Sequence, residues 1–226
     1  VINQVGTVYG DNLTFTTATS DDTSEPGFIQ KLEPTLLSLY HSDGSQDNYH
    51  GSSVHVQGNI AIVGAYGNGE KGKKSGCAYI YYKNEGGDGN WGIIKKLTAF
   101  DGKAYDHFGS SVAISGNYAL VGAYGDDYKK KYGSDQYGTF SGSAYLFFKD
   151  QGGIENWGLV KKLTAPDGAA APYNATNDRF GYSLSISGDW LVIGAYGDKD
   201  LSHYEYSTWA YSGSAYLFSK DQGGDN

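Results

Sequence analysis

Apolar and polar positions alternate with a period of two through most of the chain, in runs too short for helices. In Ser111-Val112-Ala113-Ile114-Ser115 the alternation ends at Gly116-Asn117, and Tyr118-Ala119-Leu120-Val121-Gly122-Ala123-Tyr124 leads back. Such runs predict half-buried strands. Gly-Asn here, and Gly188-Asp189 further on, suit a tight hairpin because glycine tolerates positive φ. A third strand is expected over Gly142–Lys149, and the Asp150–Asn156 turn leads to a fourth over Trp157–Thr164. Each unit therefore reads as four short antiparallel strands joined in sequence, a blade-like meander.

The unit recurs. GAYG stands at Gly64–Gly67, Gly122–Gly125 and Gly194–Gly197, preceded by Gly51-Ser52-Ser53-Val54, Gly109-Ser110-Ser111-Val112 and Gly181-Tyr182-Ser183-Leu184. It is followed by Ser75–Tyr79, Ser141–Tyr145 and Ser212–Tyr216. A further block, Trp91–Leu97 and Trp157–Leu163, is echoed by Gly27-Phe28-Ile29-Gln30-Lys31-Leu32. A period of roughly 60–70 residues means one supersecondary unit was copied and stacked. The expected organisation is an extension and acidic linker at 1–26, then three repeats at about 27–90, 91–156 and 157–226. First strands are expected near Ser52–Gln57, Ser110–Ser115 and Tyr182–Ser187.

A meander also sorts its loops. Connections between strands 1 and 2 and between 3 and 4 are short and nearly constant. The others vary: Asn68–Lys74, Asp126–Phe140 and Asp198–Tyr211 within repeats, and Glu33–Tyr49, Ala99–His107 and Ala165–Arg179 leading into the next. All the variable loops share one face, where binding usually resides. Two of them are rich in aromatic residues: Tyr128, Tyr132, Tyr137 and Phe140 in one, and Tyr204, Tyr206, Trp209 and Tyr211 in its counterpart. Tyrosine and tryptophan pair an apolar face with a hydrogen-bonding tip, which suits contact with sugars, proteins or another subunit.

Composition agrees. The 226 residues include 34 glycines, 21 tyrosines and no methionine, as expected of a turn-rich β protein. A net charge of −8 argues against general affinity for nucleic acid. No apolar run is long enough for a spanning helix. Beginning at Val1 without any methionine, the chain reads as a processed product. Cys77 stands where the other copies have Ser143 and Ser214, so it is expected to be a small buried side chain rather than a nucleophile.

Phe108-Gly109 and Phe180-Gly181, with Tyr49-His50-Gly51 as a degenerate copy, and Gly64-Ala65, Gly122-Ala123 and Gly194-Ala195 resemble FG-GAP repeats, the blade units of integrin-alpha-type β-propellers. The wording of Lys96–Gly109 and Lys162–Gly181 is similar to the variant found in extracellular microbial proteins. The resemblance implies an all-β, propeller-like architecture of three four-stranded antiparallel blades, an extracellular or cell-surface location, an adhesive or structural role, and no catalysis. Calcium-binding members carry a D-x-D-x-D-G loop that no position here matches. Asp126-Asp127 and Asp198-Lys199-Asp200 are acidic without that spacing. No cofactor is therefore expected, with calcium in those loops the minor alternative.

Other candidates carry less. Gly67–Ser75 matches G-x-G-x-x-G, yet a strand follows where a phosphate loop needs a helix. His41, His50, His55, His107 and His203 form no spaced metal pair. Lys129-Lys130-Lys131 reads as a solvated rim. Asn12 and Asn174 head N-x-T sequons in segments expected to be exposed.

The termini are complementary. The chain stops where the other copies continue into Trp91 or Trp157, and the equivalent of that missing outer strand is Gly27–Leu32. That strand can complete the last blade within the chain, or complete the last blade of a neighbour. Either removes an unpaired edge. The strand-forming segments Gln4–Tyr9 and Asn12–Thr19, which match no part of the repeat, favour the second. Phe28, Ile29 and Leu32 are then the donated apolar residues. The expected function is a non-catalytic extracellular structural protein whose partner is itself, forming a fibre or surface layer. The alternative is an adhesin or lectin-like propeller holding glycan or protein on its variable-loop face.

Overall fold

The computed structural model describes residues 30–33, 47–127, 140–167, 178–198 and 212–220. They form eleven strands in three antiparallel sheets. Blade 1 holds β1 (His50–Gln57), β2 (Ile60–Ala65), β3 (Cys77–Lys83) and β4 (Trp91–Leu97). Blade 2 holds β5 (Phe108–Ser115), β6 (Tyr118–Ala123), β7 (Ser143–Phe148) and β8 (Gly158–Leu163). Blade 3 holds β9 (Ser183–Ser187), β10 (Trp190–Ala195) and β11 (Ser214–Ser219). The expected all-β meander is what the structure shows, with one difference in count. The third sheet has three strands, and β11 pairs only with β10 among the described residues.

Local chemistry explains the register. Gly58, Gly116 and Gly188 open the first hairpin of each blade at φ of 58°, 57° and 52°, the left-handed values that a two-residue turn needs. The first strands of blades 1 and 2 start earlier than the alternation suggested. His50 and Phe108 pair with Ala65 and Ala123 ahead of a register irregularity that ends at Ser53 and Ser111. Trp157, expected to begin a strand, instead precedes β8 at φ 49° and is buried, its Nε1 donating to the Tyr82 hydroxyl of blade 1 at 3.2 Å.

The core lies between blades. Ile62, Ala78, Ile80 and Leu97 of blade 1 pack on Val112, Ile114, Val121 and Phe147 of blade 2. The opposite face of blade 2, with Leu120, Ala144, Leu146 and Leu163, packs on Phe180, Ile186, Leu191 and Ile193 of blade 3. The outer face of blade 1 forms a third cluster around Val63, Tyr79 and Tyr81, joined by Leu32. Close approach depends on the GAYG glycines. A Cβ on Gly64 or Gly122 would sit on the carbonyl oxygen of Gly109 or Gly181 of the next blade, well inside contact distance. Their alanine neighbours Ala65, Ala123 and Ala195 are buried. Cys77 is fully buried as expected, and burial pushes its thiol up to about 11.

Candidate functional site

The variable-loop face carries a ladder of planar groups that crosses all three blades. Its rungs are the GAYG tyrosines Tyr66, Tyr124 and Tyr196, alternating with the residue that precedes each His-Gly or Phe-Gly pair: Tyr49, His107 and Arg179. Tyr49 stacks on Tyr66 at 4.9 Å between ring centroids, Tyr66 meets His107 at 5.6 Å, and His107 stacks on Tyr124 at 4.8 Å. The Arg179 guanidinium then lies 5.9 Å from the Tyr124 ring and 5.1 Å from the Tyr196 ring. Tyr182 adds an edge contact to Tyr196 at 4.4 Å. Ring stacking and cation–π attraction each contribute modestly, on the order of 1 kcal/mol. Tyr49 and Tyr196, the two ends of the ladder, are both exposed.

The backbone aims these rungs. Tyr49, His107 and Arg179 hold φ of 52°, 56° and 55°, a region costly for residues with a Cβ. Glycine would relieve that cost but would supply no ring. Burial, with the Lys74 and Arg179 charges nearby, lowers His107 to about 4, so a neutral imidazole stacks in the ladder at neutral pH.

Behind the ladder, a polar cluster ties blade 2 to the loop leaving blade 1. The Tyr145 hydroxyl donates to Asp101 and to Asp126, each at 2.9 Å. Lys162 reaches both carboxylates, at 2.6 and 2.5 Å. Burial works against the Lys162 ammonium, but its two carboxylate partners outweigh it and raise its pKa. Burial likewise raises Asp101, and the hydrogen bonds from Lys162 and Tyr145 reverse this, holding it below the usual carboxylate range. Asp106, buried beside Asp126, is pushed up to about 7. Blade 3 has the equivalent tyrosine and acids. The Tyr216 hydroxyl donates to Asp167 at 2.7 Å and to Asp198 at 3.1 Å. Among the described residues, no group of three or more His, Cys, Asp or Glu is placed to hold a metal ion.

Of the aromatic residues singled out in the variable loops, Phe140 is described. It packs under Arg179, whose guanidinium lies 5.9 Å from its ring and whose amide donates to its carbonyl at 2.9 Å. Tyr128, Tyr132, Tyr137, Tyr204, Tyr206, Trp209 and Tyr211 lie outside the described residues, as do Phe28, Ile29, Asn12 and Asn174. Leu32 is described, on the outer face of blade 1 rather than along β11. The ladder and the lysine-bridged carboxylates escape a reading of one repeat at a time. Superposing the copies exposes the ladder, because Tyr49, His107 and Arg179 share a position and a flat π-surface but no residue type.

A comparison with curated proteins found no match to the chain. The family model for the FG-GAP repeat matches three consecutive segments, 37–81, 91–147 and 157–218. These segments carry the hairpins, the glycine contacts and every rung of the ladder, and together they span most of the sequence. On this repeated match, supported by three successive antiparallel sheets, the chain belongs to the FG-GAP repeat family.

Proposed function

We propose that this protein is a non-catalytic extracellular structural subunit that assembles head to tail by β-strand completion. FG-GAP repeats build β-propeller-type binding and adhesion modules that are often extracellular, which supports the location. The observation that carries the assembly reading is the seat of residues 30–33. Gln30 Oε1 accepts from the Trp91 amide at 2.6 Å, and its Nε2 donates to the Trp91 carbonyl at 3.0 Å. Lys95, at the same place in the repeat, reaches Asn156 just before β8, at 2.8 Å. The segment thus lies on blade 1 as the outer strand of a preceding blade would, while among the described residues no such blade lies beside it. Among the described residues β11 pairs only with β10, and a strand edge of that kind templates such an addition.

A heterologous contact of this kind propagates unless its rotation closes. The intact protein is expected to form fibres or sheets by negative-stain electron microscopy. Deleting residues 1–32 is expected to leave a folded, soluble chain that does not assemble. Assembly of the truncated chain to the same extent as the intact one would refute strand completion.

A further inference from the structure

Blades 1 and 3 each present a face whose equivalents are paired inside the molecule. We propose that blade 3 of one molecule seats on blade 1 of the next as blade 2 seats on blade 3, with Lys31 of the incoming molecule closing on Asp167 and Asp198. This inference rests on the head-to-tail reading and specifies its interface.

The apolar surfaces match by position. Val192 and Leu217 are 42% and 64% exposed on blade 3, whereas their equivalents Leu120 and Leu146 are buried against the next blade. At the other end, Val54 and Val56 are 66% and 60% exposed, whereas their equivalents Val112 and Ile114 are buried against the preceding blade. Val54 and Val56, with Leu32 and Trp91, line an apolar groove of about 420 Å³ on the outer face of blade 1. Each face is what the other lacks.

The backbone contacts match as well. Gly64 faces the Gly109 carbonyl, and Gly122 faces the Gly181 carbonyl. Those carbonyls accept from Ser53 Oγ at 3.0 Å and from Ser111 Oγ at 2.6 Å. The third pair in this series is Gly194 with Gly51. A Cβ on Gly194 would meet only Ser183 of its own blade, and Gly51 has open space around it. Seating blade 1 of a second copy on blade 3 brings the Gly51 carbonyl to Gly194 and Ser183. The ladder continues too, since its exposed ends Tyr196 and Tyr49 become neighbours.

Charge fixes the register. Lys96 and Lys162 stand opposite Tyr79 and Tyr145 across the outer strand pair of their blades. The same alignment places Lys31 opposite Tyr216. Lys162 is held by two carboxylates, whereas Asp167 and Asp198 meet Tyr216 with no ammonium beside them among the described residues. Lys31 is solvent-exposed and pairs in its own chain with Glu33. Its partners in an assembly are the two acids at the far end of another copy.

The test is a charge exchange in the full-length chain, read by sedimentation and electron microscopy with circular dichroism to confirm folding. Lys31→Glu alone, and Asp167→Lys with Asp198→Lys alone, should each raise the concentration needed for assembly by about tenfold or more. Mixed one to one, the two variants should assemble as the unmodified protein does, because each supplies the end that the other has lost. Leu217→Glu, on an exposed position, should block assembly without altering the monomer. Unmodified chains that assemble while every variant assembles equally well overturn this interface and leave head-to-tail assembly standing. Unmodified chains that stay monomeric at high concentration overturn both.

Discussion

His107 joins two demands at one position. It takes a left-handed backbone at φ 56° and stacks between Tyr66 and Tyr124, where burial keeps its imidazole neutral. The ordinary imidazole value is 6.5, and in the fold it falls to about 4. A depressed value makes the unfolded chain bind the proton first. The stability contributed is therefore complete above 6.5 and is lost as pH falls toward 4. Replacing His107 by tyrosine, the residue at the same place in blade 1, should flatten this acid limb in melting curves. Asp106 acts in the opposite sense. Its carboxyl is raised from 3.8 to about 7, so its contribution is present below 3.8 and lost as pH rises toward 7. Asp106→Asn should accordingly melt higher than the parent at neutral pH. A parent and variant that melt alike at every pH would contradict either assignment. Glycine positions make a sharper comparison. Gly122→Ala drives a Cβ into a backbone carbonyl of the next blade, which should cost about 1–3 kcal/mol or more by chemical denaturation. Gly194→Ala meets only a serine hydroxyl of its own blade and should cost the monomer less.

At the scale of strands and loops, short-range signals were the legible ones. Alternation in Ser111–Ser115, glycine at 116 and 188, and the recurrent GAYG told strands, hairpins and the repeating unit correctly. The register irregularities that begin β1 and β5 early were not legible, because they turn on Gly51 and Gly109, each at φ 88°, ahead of the residues where the alternation starts. The Lys162 site was hidden for a related reason: Asp101, Asp126 and Tyr145 come from separate loops and a strand, and only stacking of blades 1 and 2 brings them together. That site also bears on calcium. The Asp126 carboxylate already receives an ammonium and a phenol hydroxyl, so chelator should leave the melting temperature unchanged. A fall of ~10 °C or more would show that a bound cation stabilises the fold. Trp157, whose indole reaches across to Tyr82, holds adjacent blades together. Trp157→Ala should cost about 3–5 kcal/mol in denaturant unfolding.

Over the whole molecule, three equivalent faces point one way and three the other. Among the described residues, two of each are used between blades and one of each is left at an end. The echo of the outer strand at Gly27–Leu32 was readable from the sequence. What the sequence withheld was where that echo goes. Leu32 packs into the cluster of blade 1, as Leu97 packs into the cluster shared with blade 2 and Leu163 into that shared with blade 3. Under the proposed assembly, the blade that this segment would complete is supplied by a head-to-tail neighbour. Sedimentation velocity on the intact chain across a concentration series tests this claim most directly. The account predicts a distribution that shifts to ever larger species as concentration rises, with no fixed stoichiometry. A single boundary at the monomer mass, 24.3 kDa, at every concentration would contradict it.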